Sequence, residues 1–148
     1  MIALKVNRIE WRPGFSVGIE NIDDQHKTLI RALNDVAESL ERGDADDCVR
    51  VYEEFLRLSV EHFASEERIL FSSGYPQAQE HADHHRRLLK MAEDAQTQCR
   101  NQVLNRQTTE CFNALLEFLI GDLLEADIQF KSFLEELDKD RLRQVITH

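Results

Sequence analysis

A chain of 148 residues, 42% hydrophobic and 31% charged with only 5 glycines and 2 prolines, is long enough for one domain with its own core, and its scarcity of turn residues argues against a β-sandwich or a disordered segment. The formal charge of −10 sets up a mean field that repels phosphate backbones and anionic membrane surfaces, so neither nucleic acid nor membrane is an expected partner. Cys48, Cys99 and Cys111 are widely spaced and form no CxxC pair, which excludes a disulfide framework or zinc ribbon and fits a reducing cytoplasm.

Residues 1–21 carry Trp11, Pro13, Gly14, Phe15 and Gly18 without helical periodicity, so an ordered N-terminal loop is expected, its aromatics packed on the remainder. The segment Met1 to Glu10 has no sustained apolar run, and Ala114 to Ile128 is interrupted by Glu117, Asp122, Glu125 and Asp127; no signal peptide or membrane span is expected. A first helix over about 23–42 follows from the stripe Ile22, Leu29, Ile30, Leu33, Val36, Ala37 and Leu40, with Gly43 ending it. After an acidic turn at Asp44 to Asp47, the stripe Val51, Phe55, Leu58, Ile69 and Leu70 predicts a second helix over about 46–72, closed by Ser73-Gly74 and Pro76.

Ala78, Ala82, Leu88, Leu89, Ala92 and Ala95 predict a third helix over about 77–98, with the polar stretch Gln96 to Gln107 as the connection that follows. A fourth helix over about 108–137 keeps an apolar face through Leu115, Phe118, Leu119, Leu123, Phe130, Phe133 and Leu134, and a helical extension occupies 138–148. Four amphipathic helices with short links define an all-α, antiparallel up-and-down four-helix bundle in a single domain.

Polar groups on these apolar stripes carry the chemistry, because a buried ionisable side chain is costly unless something inside binds it. His26 sits in the row of Ile22, Leu29 and Leu33; His62 and Glu66 continue the row of Phe55 and Leu58; His81 and His85 line up with Ala78 and Leu88. Each of the pairs His62/Glu66 and His81/His85 has i, i+4 spacing and projects two donors from one helix face toward a common point. Asp122 and Asp127 both lie on the broad apolar face of the fourth helix. Five residues turn an ideal helix by roughly 140°, so these two acids address two metals, or one metal and a bridge, and not one tight chelate. His84, three residues from His81, competes with His85, but the continuing row to Leu88 and Leu89 favours His85.

A lone helical histidine is ordinarily a surface or hydrogen-bonded residue, whereas four histidines and three carboxylates on the inner rows of four helices point to a shared metal centre. Imidazole and carboxylate donors without thiolate suit iron, manganese or zinc. Seven donors exceed the needs of one tetrahedral zinc ion, so two octahedral irons sharing bridging carboxylates are the natural count.

The chain resembles the bacterial hemerythrin family over nearly its whole length. The resemblance is carried by Trp11, Ser16-Val17-Gly18-Ile19, Ile22-Asp23-Asp24-Gln25-His26-Lys27, His62-Phe63 with Glu66-Glu67 in an HFxxEE pattern, and Gly74-Tyr75-Pro76 before His81 and His85. It implies two irons with an oxo or hydroxo bridge, His26 and His62 on one iron, His81 and His85 on the other, and Glu66 and Asp127 bridging both. In the family the last helix usually offers a histidine five residues before the bridging aspartate, after a Trp-Leu pair; here the stretch reads Phe118-Leu119-Ile120-Gly121-Asp122. With Asp122 in that place the core carries one more negative charge, which favours the ferric state and puts stable, reversible oxygen carriage in doubt.

The expected function is binding of dioxygen or a related small oxidant, or response to its oxidising action, as an oxygen or redox sensor input domain and not as an enzyme. A diiron oxidase, suggested by the third carboxylate, and oxygen or iron storage are the alternatives. The helical continuation Lys139 to Ile146 suits a fused or docked signalling output domain, and a homodimer is a further expectation.

Overall fold

The computed structural model describes residues 8–104, 113, 117, 118, 127–137, 143 and 144, without the side chains of 98–104. A 3-10 turn at Pro13–Phe15 precedes α1 (Glu20–Arg42), α2 (Ala45–Ser72), α3 (Ala78–Leu104) and α4 (Asp127–Glu136). The molecule is an all-α four-helix bundle, as the apolar stripes predict, and the described residues contain no strand.

The N-terminal loop is tied down by specific bonds. Asn34 on α1 clamps the backbone of Ile9, accepting from its N–H at 3.0 Å and donating to its carbonyl at 2.9 Å. Trp11 meets Phe15 edge to face at 5.8 Å and lies under the Lys27 ammonium, a cation–π contact. Ser16 and the Val17 N–H donate to the two oxygens of Asp23 at 2.5 and 2.8 Å. Asp23 thus caps the loop from inside the first turn of α1, so the helix starts at Glu20 and not at 23. The backbone reason is Gly18 at φ +81°, which turns the chain just ahead of the buried Ile19.

Gly43 ends α1 in the left-handed region at φ +70°, and the Asp44 carboxylate at once accepts from the Asp47 N–H at 3.0 Å to open α2. Stop and start signals in adjacent residues fold α2 back against α1. α2 closes at Ser73 and Gly74, the latter at φ +74°. α3 continues to Leu104, so the stretch from Gln96 to Leu104 is helix and not connection. Apolar periodicity is lost there, but glutamine and arginine are good helix formers and no glycine or proline intervenes. The predicted fourth helix over about 108–137 falls largely outside the described residues; 127–136 of it is α4, and Asn113, Glu117 and Phe118 are helical. Of the predicted extension over 138–148, only Arg143 and Gln144 are described, both helical.

Two apolar clusters fill the bundle. One joins Leu29, Leu33, Val36 and Leu40 of α1 to Tyr52, Phe55 and Phe63 of α2, Leu88 and Ala92 of α3, and Phe118; the Tyr52 hydroxyl donates to the Ala92 carbonyl at 2.5 Å within it. The other gathers Val17, Ile19 and Ile22 with Ile69, Leu70, Tyr75, Ala78, Phe130 and Leu134. On every described helix the segment between the two clusters, or at their edge, is where an ionisable residue is buried.

Candidate metal centre

His26, His62, Glu66, His81, His85 and Asp127 are all buried, none more than 5% exposed. One turn of α1 separates His26 from Ile22 on one side, and three residues separate it from Leu29 on the other, so the helix that packs those apolar groups also delivers the imidazole inward. The same logic holds for His62 and Glu66 between Phe55 and Ile69–Leu70, for His81 and His85 between Ala78 and Leu88, and for Asp127 one residue short of a turn before Phe130.

The donors form two overlapping sets. His26, His62, Glu66 and Asp127 present ligand atoms within 4.8 Å of one another, and so do Glu66, His81, His85 and Asp127. The two carboxylates divide their oxygens between the sets. Glu66 Oε2 lies 3.8 Å from His26 Nε2 and 3.3 Å from His62 Nε2, while Oε1 lies 2.6 Å from His81 Nε2 and 3.2 Å from His85 Nε2. Asp127 Oδ2 lies 3.1 Å from His26 Nε2 and Oδ1 3.1 Å from His81 Nε2.

These contacts have the geometry of ligands converging on ions. The Nε2 atoms of His26 and His62 face each other at 3.0 Å, the spacing of two nitrogens about 2.1 Å from a shared ion at a right angle. Glu66 Oε1 and His81 Nε2 approach to 2.6 Å, yet among the described residues neither Glu66 oxygen nor His81 Nε2 has a partner at hydrogen-bonding angles. Buried polar atoms placed this way are costly unless a cation satisfies them. The described donor set therefore fits a pair of metal ions.

The same crowding distorts titration. Burial pushes the Glu66 carboxyl up, but the imidazoles of His62, His81 and His85 against it overcome that and hold it well below the ordinary carboxylate range. Burial would lower His81, yet Asp127 and Glu66 at its ring push it up to about 10. Without metal, a proton on His81 serves as the local countercharge; a bound cation takes that place.

Aromatic groups wall the centre. Phe63 stacks on His85 at 3.9 Å with the rings 12° from parallel, and Phe130 approaches His81 at 6.2 Å. His84 belongs to neither donor set; it lines a cleft of about 270 Å³ with Tyr75, Arg87 and Gln129. Asp122 lies outside the described residues. Three groups that the stripes did not single out touch the centre's rings from behind or brace such a contact: Gln25 at His62, Ser65 at Gln25, and Glu67 at His85. Gln25 and Glu67 entered the sequence only as members of motifs; polarity immediately beside a buried donor was the available signal.

A bundle whose helices send histidines and two shared carboxylates to a common interior point defines a metal-centre protein of the carboxylate–histidine type. Residues 17–137 match the family described as Hemerythrin HHE cation binding domain, and the chain belongs to that family, whose domain holds a diiron centre. It is 28% identical over 75 residues to a bacteriohemerythrin of Pseudomonas aeruginosa, covering 51% of this chain and 49% of the relative. It is 32% identical over 83 residues to a bacteriohemerythrin of Stenotrophomonas maltophilia, covering 54% and 52%, and 28% identical over 76 residues to a myohemerythrin of Theromyzon tessulatum, covering 51% and 58%. The matched stretches thus span about half the length of these relatives.

Proposed function

We propose that the protein binds dioxygen or a related small oxidant at a diiron centre, with His26 and His62 on one iron, His81 and His85 on the other, and Glu66 and Asp127 bridging them. The observation that carries this reading is the division of each carboxylate, one oxygen toward the His26 side and the other toward the His81 side. The irons would supply reversible electron transfer to the oxidant. The chain's own residues would hold the ions at fixed spacing, with Phe63 stacked on His85 and Phe130 edge-on to His81. Asp122 is assigned as a further ligand on the His81 and His85 iron from its place in the sequence.

Sensing of oxygen or redox state is the role favoured over storage or oxidase chemistry. Asp122 as ligand would make the reduced centre easy to oxidise. None of the described helices is long and apolar enough to cross a membrane, and Cys48 is a buried free thiol, which supports a cytoplasmic setting. An output domain or a second copy is the partner such a sensor would need.

Metal analysis with anaerobic reduction and readmission of air tests the reading. Two irons per chain and an absorption change on exposure to air are expected. Glu66→Ala and Asp127→Ala should each lower the metal count more than His84→Ala, since each removes a donor shared by both ions. One zinc per chain and no iron after iron-supplemented expression would overturn the diiron assignment.

A further inference from the structure

Among the described residues, His62 and His85 are held from behind by groups of different charge. His62 Nδ1 lies 2.9 Å from Gln25 Oε1, and Gln25 Nε2 donates to Ser65 Oγ at 3.2 Å. Ser65 donates its proton to the Glu61 carbonyl at 3.1 Å. A hydroxyl has one proton, so toward Gln25 the Ser65 oxygen can only accept, and the amide must turn its nitrogen to Ser65 and its oxygen to His62. An amide oxygen only accepts as well. A neutral His62 therefore carries its proton on Nδ1 and turns the Nε2 lone pair inward, on the side where His26 Nε2 lies 3.0 Å away.

Across the centre, His85 Nδ1 lies 3.4 Å from Glu67 Oε2. A carboxylate, too, only accepts, so neutral His85 is protonated on Nδ1 and aims Nε2 at the interior, 3.2 Å from Glu66 Oε1. The contact is long, but Glu67 is a charged acceptor whose side chain is only 25% exposed, and hydrogen bonds to ions are the stronger kind. Each bracing residue is the chain neighbour of one donor and holds a donor of another helix: Gln25 adjoins His26 and braces His62, while Glu67 adjoins Glu66 and braces His85.

We propose that Gln25, backed by Ser65, and Glu67 are positioning residues that lock His62 and His85 in the metal-binding tautomer and make the two iron positions electronically unequal. A carboxylate behind an imidazole raises its basicity as a ligand more than a neutral amide does. The iron on His81 and His85 is accordingly held more firmly in its ferric state, and the iron on His26 and His62 is the more readily reduced of the two. The inequality comes from Gln25 and Glu67, independently of Asp122.

The inference rests on His62 and His85 serving separate ions, so iron content of His62→Ala and His85→Ala is measured first. Retention of two irons by both variants would overturn that reading and this inference with it; loss of iron in both leaves the second step to decide the inference alone. That step is redox titration of the iron-loaded protein. Glu67→Gln should raise the midpoint potential, Gln25→Glu should lower it, and Asp83→Asn should leave it in place, since it removes a charge from an α3 carboxylate bonded to Arg86 and Gln79. Gln25→Leu should lose iron to a chelator roughly 10- to 100-fold more readily, with Ser65→Ala moving in the same direction and Gln25→Glu retaining iron. Potentials that stay fixed, or move the same way in Glu67→Gln and Gln25→Glu, overturn the inference. A measurement on the unaltered chain guards against variants that do not fold: nitrogen-15 NMR of the zinc-loaded protein should show slowly exchanging Nδ1 protons on both His62 and His85, and rapid exchange at both would overturn it equally.

Discussion

Position 122 is where the chain departs from the pattern of the family it belongs to, and the consequence can be measured with one substitution. On the proposed assignment of Asp122 as a ligand, Asp122→His would exchange a negative donor for a neutral, longer one and remove a charge that favours the ferric irons. Oxidation of the reduced centre by air should be slower in Asp122→His than in the parent chain, read by stopped-flow absorption; equal rates would place Asp122 away from the irons. Six donors were legible without coordinates, because an imidazole or carboxylate in a row of leucines and phenylalanines is anomalous. Gln25, Ser65 and Glu67 were not, because an amide, a hydroxyl or an acid at the edge of a stripe is ordinary surface chemistry. Only the pairing of α1 with α2, and of α2 with α3, shows what they hold.

Among the helices, the α1–α2 corner concentrates the local information. Nothing lies within 4 Å of a Cβ built on Gly43, so Gly43→Ala meets only the backbone penalty of φ +70°, about 1–2 kcal/mol. Asp44→Ala removes the bond to the Asp47 N–H and should cost about 1 kcal/mol. Urea unfolding of the two variants checks both values, and a neutral Gly43→Ala would mean that the corner relaxes. The interior of each helix followed from its stripe, whereas two ends did not. α1 begins early because Asp23 bonds back to Ser16 and Val17, a role that its position in the stripe conceals. α3 runs on because the residues after Ala95 are good helix formers with no glycine or proline among them.

For the molecule as a whole, the centre replaces part of the core between two apolar clusters, and buried donors of this kind are expected to couple folding to cation binding. Ligand at about a thousandfold excess over its Kd adds about 4 kcal/mol to folding, and for a domain of this size each kcal/mol moves the melting temperature by about 2–4 °C. Chelation of iron should lower the melting temperature by on the order of 10 °C, with recovery on reloading, as followed by calorimetry. Equal melting of the stripped and loaded forms would mean that the six buried donors do not share a bound ion. The all-helical bundle could be read from composition and periodicity, since both report averages over many residues. The division of Glu66 and Asp127 between two histidine pairs came only through the family resemblance, because periodicity does not say how far helices distant in sequence stand apart.

That division also has a temporal side. Asp127 emerges from the ribosome 42 residues after His85, an interval of roughly 2–8 s at about 5–20 residues per second. During it, the nascent chain already displays four imidazoles and the Glu66 carboxylate but lacks the oxygens of Asp127. Nitrogen-rich sets of this kind bind copper and zinc ahead of ferrous iron by intrinsic affinity. On the proposed assignment, Asp127 would add a hard oxygen donor to both positions at once, so the two sites would reach their full oxygen complement only when α4 has been synthesised.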